Sequence, residues 1–265
     1  MKKIAIYCVN YHSYSALEGY LLSLDKANKR KEVLLMVFVG DNTDANAQKI
    51  MYSPQSFKLQ VFQIGKNLGY FGAIQYMMEQ SSPLEYDYSI ISNVDVTLND
   101  NIFSILANIS KEDKCGWIAP SIVSGTEHRD KNPKIIKRYS KKKLTILSFM
   151  FKHHWLYNLY THTAYKRKKN TKRDSMEIYA GHGSFIILTD VYFKKCGIIN
   201  YPVFLFCEEI YLGEQCKQQE LKVLYNPSIV VYDTEHVSTG TIKSRQYCRL
   251  NYDAIQYILR KYYSK

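Results

Sequence analysis

Short apolar segments alternate with amphipathic ones along the first half of the chain. Nearly continuous apolar runs are typical of buried strands, and apolar residues three and four positions apart are typical of helices. Strands are predicted over 3–9, 33–39, 58–64 and 87–92, and helices over 13–24, at 44–52, around 74–78 and around 101–109. Because strand and helix alternate four times, the pattern predicts an α/β fold. Its mostly parallel sheet would be flanked by helices and wound with right-handed crossovers.

Polar residues follow the apolar run of each predicted strand. They are Asn10-Tyr11, Asp41-Asn42, Asn67 and Asn93 with Asp95. The carboxyl ends of parallel strands share one edge of the sheet, and ligands of such sheets bind outside that edge. We therefore expect these side chains to converge on a ligand site.

Regular patterning resumes near residue 178, after a basic segment. A glycine-rich stretch at 180–184 leads into a predicted strand at 185–188. An aromatic segment then ends where Glu208 and Glu209 open a helix. Further strands are predicted near 222–225 and 229–232, before a polar loop that contains His236. A C-terminal helix is predicted around 244–263.

The net charge of +12 comes from one part of the chain. Residues 131–173 contain 14 lysines and arginines and no acidic residue, whereas the other residues carry 22 basic and 24 acidic side chains. An excess confined to one segment makes nucleic acid an unlikely partner for the domain as a whole, and the sequence carries no recognisable RNA-binding motif.

The centre of this basic segment, residues 140–165, is rich in aromatic and apolar side chains and is flanked by lysine clusters. This pattern is typical of an element that lies on an anionic membrane surface. Two alternatives to a membrane element stay open at this stage. One is a solvated insert whose apolar residues pack on the domain, and the other is an RNA-binding element.

Three features carry candidate chemistry. Asp95 follows an apolar strand and can ligate a divalent cation, although an Asx turn has the same signature. Glu208 and Glu209 can supply a general base, although acidic residues also favour a helix N-terminus electrostatically. His236, in a polar loop, can complete a metal site or be an exposed loop residue.

Several classes of protein are disfavoured. Residues 65–72 match neither a P-loop nor a dinucleotide-binding glycine motif. The six cysteines include no C-x-x-C pair, which predicts free thiols in a reducing compartment. The apolar run at the N-terminus is too short for a signal peptide, and no segment is long enough to span a membrane. These features predict a cytoplasmic protein, or one peripheral on the inner face of the membrane.

Five clusters stand in an order found in one enzyme family. They are the Asn10-Tyr11 turn, VGDNTD at 39–44, NLGYFG at 67–72, SNVDV at 92–96 and FLFCEEIYL at 204–212. In this order they resemble the inverting family 2 glycosyltransferases of the GT-A fold, and among them the rhamnosyltransferase-like members that build bacterial surface polysaccharides. The resemblance covers most of the chain.

The resemblance implies how a UDP- or dTDP-sugar would bind. Asp41 would contact the uracil or thymine base. Asp95 would hold Mg²⁺ or Mn²⁺ on the diphosphate, and Asn93, which replaces the first aspartate of the family's D-x-D motif, would be a hydrogen-bonding partner. The full set of implied nucleotide-sugar contacts is Asn10, Tyr11, Asp41, Asn67, Asn93 and Asp95.

The resemblance also implies catalytic and acceptor residues. Glu209 would be the base, in a position where the family usually has aspartate, and Glu208 would be the alternative base or an acceptor contact. The second metal ligand would be His236, or Asp233 by ungapped alignment. The implied contacts to a glycan or lipid-diphosphate-linked acceptor are Gly183, Ser184 and Tyr211.

These expectations divide the chain into a donor-binding half at 1–130, a basic aromatic insert at 131–175 and an acceptor-binding, catalytic half at 176–265. Two rivals stay open. One is a nucleotidyltransferase on a similar sheet. The other is a catalytically inert protein that docks on a membrane or on RNA through the insert.

Overall fold

The computed structural model describes residues 1–44, 47–110, 112–163, 173–234 and 242–264. The strands are β1 (Lys3–Asn10), β2 (Leu34–Asp41), β3 (Lys58–Gln63), β4 (Tyr88–Ser92), β5 (Val96–Leu98), β6 (Cys115–Ser124), β7 (Met176–Ile178), β8 (Phe185–Thr189) and β9 (Lys222–Asp233). The helices are α1 (Tyr14–Ala27), α2 (Tyr70–Glu79), α3 (Ile102–Asn108), α4 (Lys141–Lys152), α5 (His154–Thr163), α6 (Asp190–Cys196), α7 (Glu208–Gln218) and α8 (Ser244–Tyr262), with a short 3-10 helix at Pro83–Glu85.

The strands form one sheet in the order β3-β2-β1-β4-β8-β6-β9-β5, and β7 also pairs with β9. The α/β fold is therefore confirmed. The pairs β1–β2, β1–β4 and β2–β3 are parallel, as predicted for the first half. Asn10 lies opposite Asp41 at the ends of β1 and β2, so the polar clusters that follow these strands meet at one edge.

The second half of the sheet is mixed in direction. Strand β8 pairs antiparallel with both β4 and β6, whereas β6 and β9 are parallel. The two strands predicted near 222–225 and 229–232 are one strand, β9, whose register against β6 shifts at Asn226–Val230. Pro227 lies in this irregular stretch, where a residue without a backbone N–H is tolerated.

Alternate residues of β1 enter two different hydrophobic cores. Ile4 and Ile6 pack on one face of the sheet with residues of α1 and α3. Ala5 and Tyr7 pack on the other face with residues of α2 and of the second half of the chain. Successive strand residues point to opposite faces, so a strand covered on both sides reads as a continuous apolar run.

The helix predicted at 44–52 is absent from the part of this range that is described, because residues 47–52 are irregular. Side chains of α1 satisfy the backbone of the segment instead. The Asp25 carboxylate accepts hydrogen bonds from the backbone N–H groups of Gln55 and Ser56 and from the Tyr52 hydroxyl. The Tyr14 hydroxyl accepts one from the backbone N–H of Gln48.

The described part of the basic insert forms the helix pair α4 and α5. Helix α4 packs on α8: Leu144 is fully buried, and Gln256 of α8 donates a hydrogen bond to Ser148 at 2.7 Å. Among the described residues, no helix combines the length and the apolar character that crossing a bilayer requires.

An ion pair with a buried carboxylate ties the start of the insert to α7. The Arg138 guanidinium donates two hydrogen bonds, at 2.7 and 3.1 Å, to the buried carboxylate of Glu214 on α7. The Tyr179 hydroxyl donates a third, at 2.8 Å. The insert is therefore anchored to the domain at this point.

Replacing Arg138 with alanine is expected to lower the free energy of unfolding by about 3 kcal/mol, because it leaves the Glu214 carboxylate buried without its cation. This loss is at the low end of the range for breaking a buried ion pair, because the Arg138 side chain is 33% exposed. Denaturant unfolding measures the change. The control is Lys194→Ala, which breaks an exposed pair with Asp190 and should cost less than ~0.5 kcal/mol. Equal losses in the two variants would contradict the anchoring role.

Candidate active site

A cavity of about 690 Å³ opens at the carboxyl ends of β1, β2 and β4. Most of the residues predicted for the site line it: Tyr11, Asn67, Asn93, Asp95, Gly183, Ser184, Glu208 and Glu209. A smaller cavity of about 300 Å³ lies at the opposite end of β4, around Tyr88 and Thr189, and none of the predicted site residues lines it. The larger cavity is therefore the candidate site.

Two predicted nucleotide contacts, Asn10 and Asp41, lie beneath the cavity wall and are fully buried. The Asp41 carboxylate accepts hydrogen bonds from the Asn10 amide at 3.0 Å, from the backbone N–H of Thr43 at 3.1 Å and from the Tyr14 hydroxyl at 2.9 Å. In this arrangement Asp41 braces the ends of β1 and β2. A contact with a nucleotide base stays a prediction, and it requires this network to open.

The neighbouring Asn42 lies in the cavity wall, although its cluster was predicted to act through Asp41. Its amide donates a hydrogen bond to the carbonyl of Gly69 at 2.9 Å and a longer one to Asn67 at 3.3 Å. Asn42 thus holds the turn at 67–69. The only sequence signal for this role is its place in the polar cluster after β2.

The turn at Gly69 packs directly against the segment that precedes the two glutamates. Gly69 has a φ of +77°, and a β-carbon added there would lie 2.0 Å from the carbonyl oxygen of Phe204. The backbone N–H of Tyr70 donates a hydrogen bond to that same oxygen at 3.3 Å. Only glycine allows so close an approach of two backbones.

A strained turn aims Glu208 and Glu209. Phe206 and Cys207 both have positive φ, at 75° and 63°, a conformation that non-glycine residues rarely adopt. The Glu208 carboxylate folds back and accepts a hydrogen bond from the backbone N–H of Phe206 at 2.8 Å. The Glu209 carboxylate accepts one from the backbone N–H of Gly183 at 3.2 Å.

The two glutamates therefore differ in environment. Glu208 is buried, and burial, reinforced by the nearby charge of Glu209, raises its pKa to about 8. Glu209 is only partly buried and reaches Gly183, in the turn before β8 where the acceptor contacts were predicted. The raised pKa favours the protonated form of Glu208 at neutral pH.

The predicted acceptor residues divide between the cavity and the core. Gly183 and Ser184 line the cavity, and the Gly183 carbonyl accepts a hydrogen bond from the Tyr70 hydroxyl at 3.2 Å. Tyr211 is buried in the core, where its ring packs against Phe71 and Tyr201. Tyr211 therefore does not line the cavity, and its acceptor role stays a prediction. Two residues beyond Glu209 on a helix, it points about 200° away.

His182 is a further cavity residue that sequence reasoning did not select as a site residue. Its Nδ1 accepts a hydrogen bond from the backbone N–H of Ser184 at 3.2 Å and lies 3.0 Å from the Ser184 hydroxyl. Burial, with nearby lysine and arginine charges, lowers the pKa of His182 well below its ordinary value. The ring is neutral, and an accepting Nδ1 places its proton on Nε2.

The described residues supply part of the predicted metal site. Asp95 lies in the cavity wall beside Asn93, and its backbone carbonyl accepts two hydrogen bonds from Thr234. His236 lies outside the described residues, and Asp233, its alternative, forms an ion pair with Lys131 at 3.0 Å. Within the described ranges, no three His, Cys, Asp or Glu side chains form a metal-binding group. One carboxylate still fits Mg²⁺, which is usually held by one or two carboxylates together with substrate phosphates.

No family model matches the chain, and no curated protein matches its sequence. Its fold is similar to solved structures. A crystal structure of S. aureus TarS 1-349 aligns with a TM-score of 0.58 at 12% identity, over 88% of this chain and 60% of that one. GalNAc-T7, crystallised with UDP, GalNAc and Mn²⁺, aligns with a TM-score of 0.59 at 14% identity, over 97% of this chain and 50% of that one.

At these identities the likeness establishes a GT-A-like fold, as predicted from the ordered clusters. The chain spans 60% and 50% of the lengths of these two neighbours. The fold places the cavity at the strand ends, while chemistry must be argued from the side chains that line it.

Replacing Gly69 with alanine is expected to destabilise the protein more than replacing Gly65. Both glycines have positive φ, but only Gly69 faces the Phe204 backbone, and Gly65 has open space around it. Gly65→Ala should cost about 1 kcal/mol of unfolding free energy from backbone strain. Gly69→Ala should cost a further ~1–3 kcal/mol from the forced contact. Equal costs in denaturant unfolding would show that the two backbones separate freely.

Replacing Glu208 with glutamine is expected to change how stability depends on pH. A carboxyl whose pKa rises on folding binds more protons in the folded state, so its contribution to stability falls as pH rises from about 4.5 to about 8. Glutamine removes this fall. Denaturant unfolding at several pH values should therefore show that the free energy of unfolding of Glu208→Gln increases relative to that of the wild type as pH rises across that range. A constant difference between the two would mean that Glu208 titrates as it does in the unfolded chain.

Proposed function

We propose that the protein is a glycosyltransferase that moves a sugar from a UDP- or dTDP-sugar to the hydroxyl of a glycan or lipid-linked acceptor, with inversion at the anomeric carbon. The observation that carries the proposal is the placement of Glu209. Its carboxylate, held by the backbone N–H of Gly183, lies in the same cavity as Asn93 and Asp95, at the strand ends of a GT-A-like sheet.

Glu209 is the general base in this proposal. The acceptor hydroxyl binds beside Gly183 and Ser184 and transfers its proton to the Glu209 carboxylate as its oxygen attacks the anomeric carbon of the donor sugar. The bond from that carbon to the diphosphate breaks on the opposite side, which inverts the configuration. Glu208 accepts a hydrogen bond from the backbone N–H of Phe206 and so holds the turn that aims Glu209.

Asp95 would hold the metal ion, with Asn93 as a hydrogen-bonding partner of the diphosphate. Mg²⁺ or Mn²⁺ bound there would neutralise the charge on the leaving diphosphate. The neutral ring of His182 adds an N–H donor to the same cavity. A crystal structure of the neighbour GalNAc-T7 with UDP, GalNAc and Mn²⁺ supports the interpretation of the cavity as a site for a nucleotide sugar and a metal ion.

The finer assignment follows the sequence resemblance. We propose an inverting enzyme of the family 2, rhamnosyltransferase-like kind that acts in the synthesis of bacterial surface polysaccharide. Tyr11, Asn42 and Asn67 would border the nucleotide, because they line the cavity after the ends of β1, β2 and β3. The cytoplasmic location predicted from the sequence fits the supply of nucleotide sugars and is part of this proposal.

Replacing Glu209 with glutamine is expected to lower the turnover number for donor hydrolysis by ~10²–10⁴-fold, because the isosteric amide cannot accept the proton. Nucleotide binding should stay within about twofold, since loss of a transition-state interaction alone affects turnover rather than binding. Release of UDP or dTDP with added Mn²⁺ measures turnover, and thermal shift with a panel of nucleotide sugars measures binding.

The matched control is Glu220→Gln, the same change at an exposed position after α7, which should leave turnover unchanged. An inert binding protein predicts no turnover in any variant. A nucleotidyltransferase predicts release of pyrophosphate from a nucleoside triphosphate instead of nucleoside diphosphate from a sugar nucleotide. Failure of UDP- and dTDP-sugars to bind or react, with either metal, overturns the proposal.

A further inference from the structure

Helix α4 is apolar on two opposite sides. On its inner side Leu144 is fully buried, and Leu147 and Phe151 line the catalytic cavity. On its outer side Ile146 is 58% exposed and Phe149 is 59% exposed. A helix on the surface of a water-soluble domain normally presents a polar face outward. The outer side of α4 is therefore unusual for a helix in contact with water.

Helix α5 extends this exposure. None of its residues is buried. Trp155 is 64% exposed, Leu159 is 54% exposed and Tyr160 is 42% exposed, and Trp155 and Leu159 lie one helical turn apart. We call Ile146, Phe149, Trp155, Leu159 and Tyr160 the outer apolar residues. Five large exposed hydrophobic side chains within one helix pair exceed the single, scattered exposures that need no explanation.

The charges around these residues are of one sign. Lys141, Lys142 and Lys143 are exposed at the start of α4, and Lys152 is exposed at its end. The whole segment 131–173 has no acidic residue, and the sequence after α5 continues with the basic cluster at 166–169, which lies outside the described residues. The helix pair therefore combines exposed apolar side chains with cations alone.

We propose that the outer apolar residues dock on an anionic membrane surface. Aromatic side chains are favoured at the level of the lipid headgroups, and lysines are attracted to anionic lipid. A second copy of the chain fits less well, because a symmetric contact through the same patch would bring like charges together. If the segment were a solvated insert instead, its exposed apolar side chains would stay in water, which costs free energy.

Docking in this way would place α4 between the bilayer and the catalytic cavity, since the inner side of the same helix lines that cavity. The apolar wall there is completed by Tyr247 and Leu250 of α8. Resting on the proposed function, the acceptor would then be a lipid-anchored glycan whose sugar reaches Glu209 while its lipid stays in the membrane. Docking itself does not depend on catalysis and is tested separately.

The test is sedimentation of the full chain with vesicles of phosphatidylcholine, alone or mixed with phosphatidylglycerol. The wild type should bind the mixed vesicles, and Phe149→Ala with Trp155→Ala should lower the partition coefficient at least tenfold through lost apolar burial. Each of Lys141→Gln and Lys142→Gln should lower it about fivefold on the mixed vesicles only. The matched control is Leu34→Ala with Leu84→Ala, two similarly exposed apolar residues elsewhere, which should change nothing.

Tryptophan fluorescence gives a second readout. The chain has two tryptophans, of which Trp117 is fully buried and Trp155 is exposed. Mixed vesicles should shift the emission to shorter wavelength in the wild type and not in Trp155→Phe. Failure of the wild type to bind mixed vesicles, or equal binding by the Phe149→Ala/Trp155→Ala variant, overturns the proposal. A dimer in analytical ultracentrifugation that this variant abolishes would assign the patch to a second copy instead.

Donor hydrolysis in detergent-free solution separates the two proposals. The Phe149→Ala/Trp155→Ala variant should hydrolyse the nucleotide sugar at the wild-type rate, because neither side chain lines the cavity. An active enzyme that ignores vesicles would defeat membrane docking alone. A protein that binds vesicles and never turns over would defeat the proposed function alone.

Discussion

The close approach of the Gly69 turn to the carbonyl of Phe204 is the contact on which the site depends. It joins the parallel half of the sheet to the turn that carries the glutamates, and it leaves no room for a side chain. Against this support, Phe206 and Cys207 keep a backbone conformation that costs free energy. Such strain persists only where surrounding contacts over-determine it, and here it aims two carboxyl groups into one cavity.

Burial then makes two adjacent glutamates unequal. Glu208 is enclosed and bonded to the backbone N–H of Phe206, so its protonated form is favoured, whereas Glu209 is partly exposed and bonded to Gly183. Two neighbouring carboxyl groups in such different environments can divide structural and chemical roles between them. The order of the residues at the start of α7 decides which one faces Gly183 in the turn before β8. Composition alone would not have assigned these roles.

Strands β1, β2 and β4 were predictable because each is largely buried and reads as a local apolar run. Strand β3 lies at the sheet edge and was predictable from its alternating polar and apolar residues. The second half was not, because its pairings join distant segments. Strand β6 contains Gly116 and Pro120 and was not predicted, although it pairs with both β8 and β9. At the site, the positions of the strand ends predicted which side chains come together, but not the direction in which each side chain points. Asp41 is enclosed by partners from β1 and α1, and Tyr211 points into the core by helical geometry.

The insert shows most clearly what a pattern of residue types leaves undetermined. Its lysines and aromatic residues predicted a membrane element and a packed insert with similar force, and an RNA-binding element with less, because no RNA-binding motif is present. The structure of α4 distinguishes these interpretations, because the helix has two apolar sides and the domain covers only one of them. A packed insert explains the inner side. RNA binding accounts for the lysines and the exposed aromatic rings, but not for the exposed aliphatic Ile146 and Leu159. An anionic membrane accounts for the lysines and for both kinds of exposed apolar side chain, so the geometry favours it.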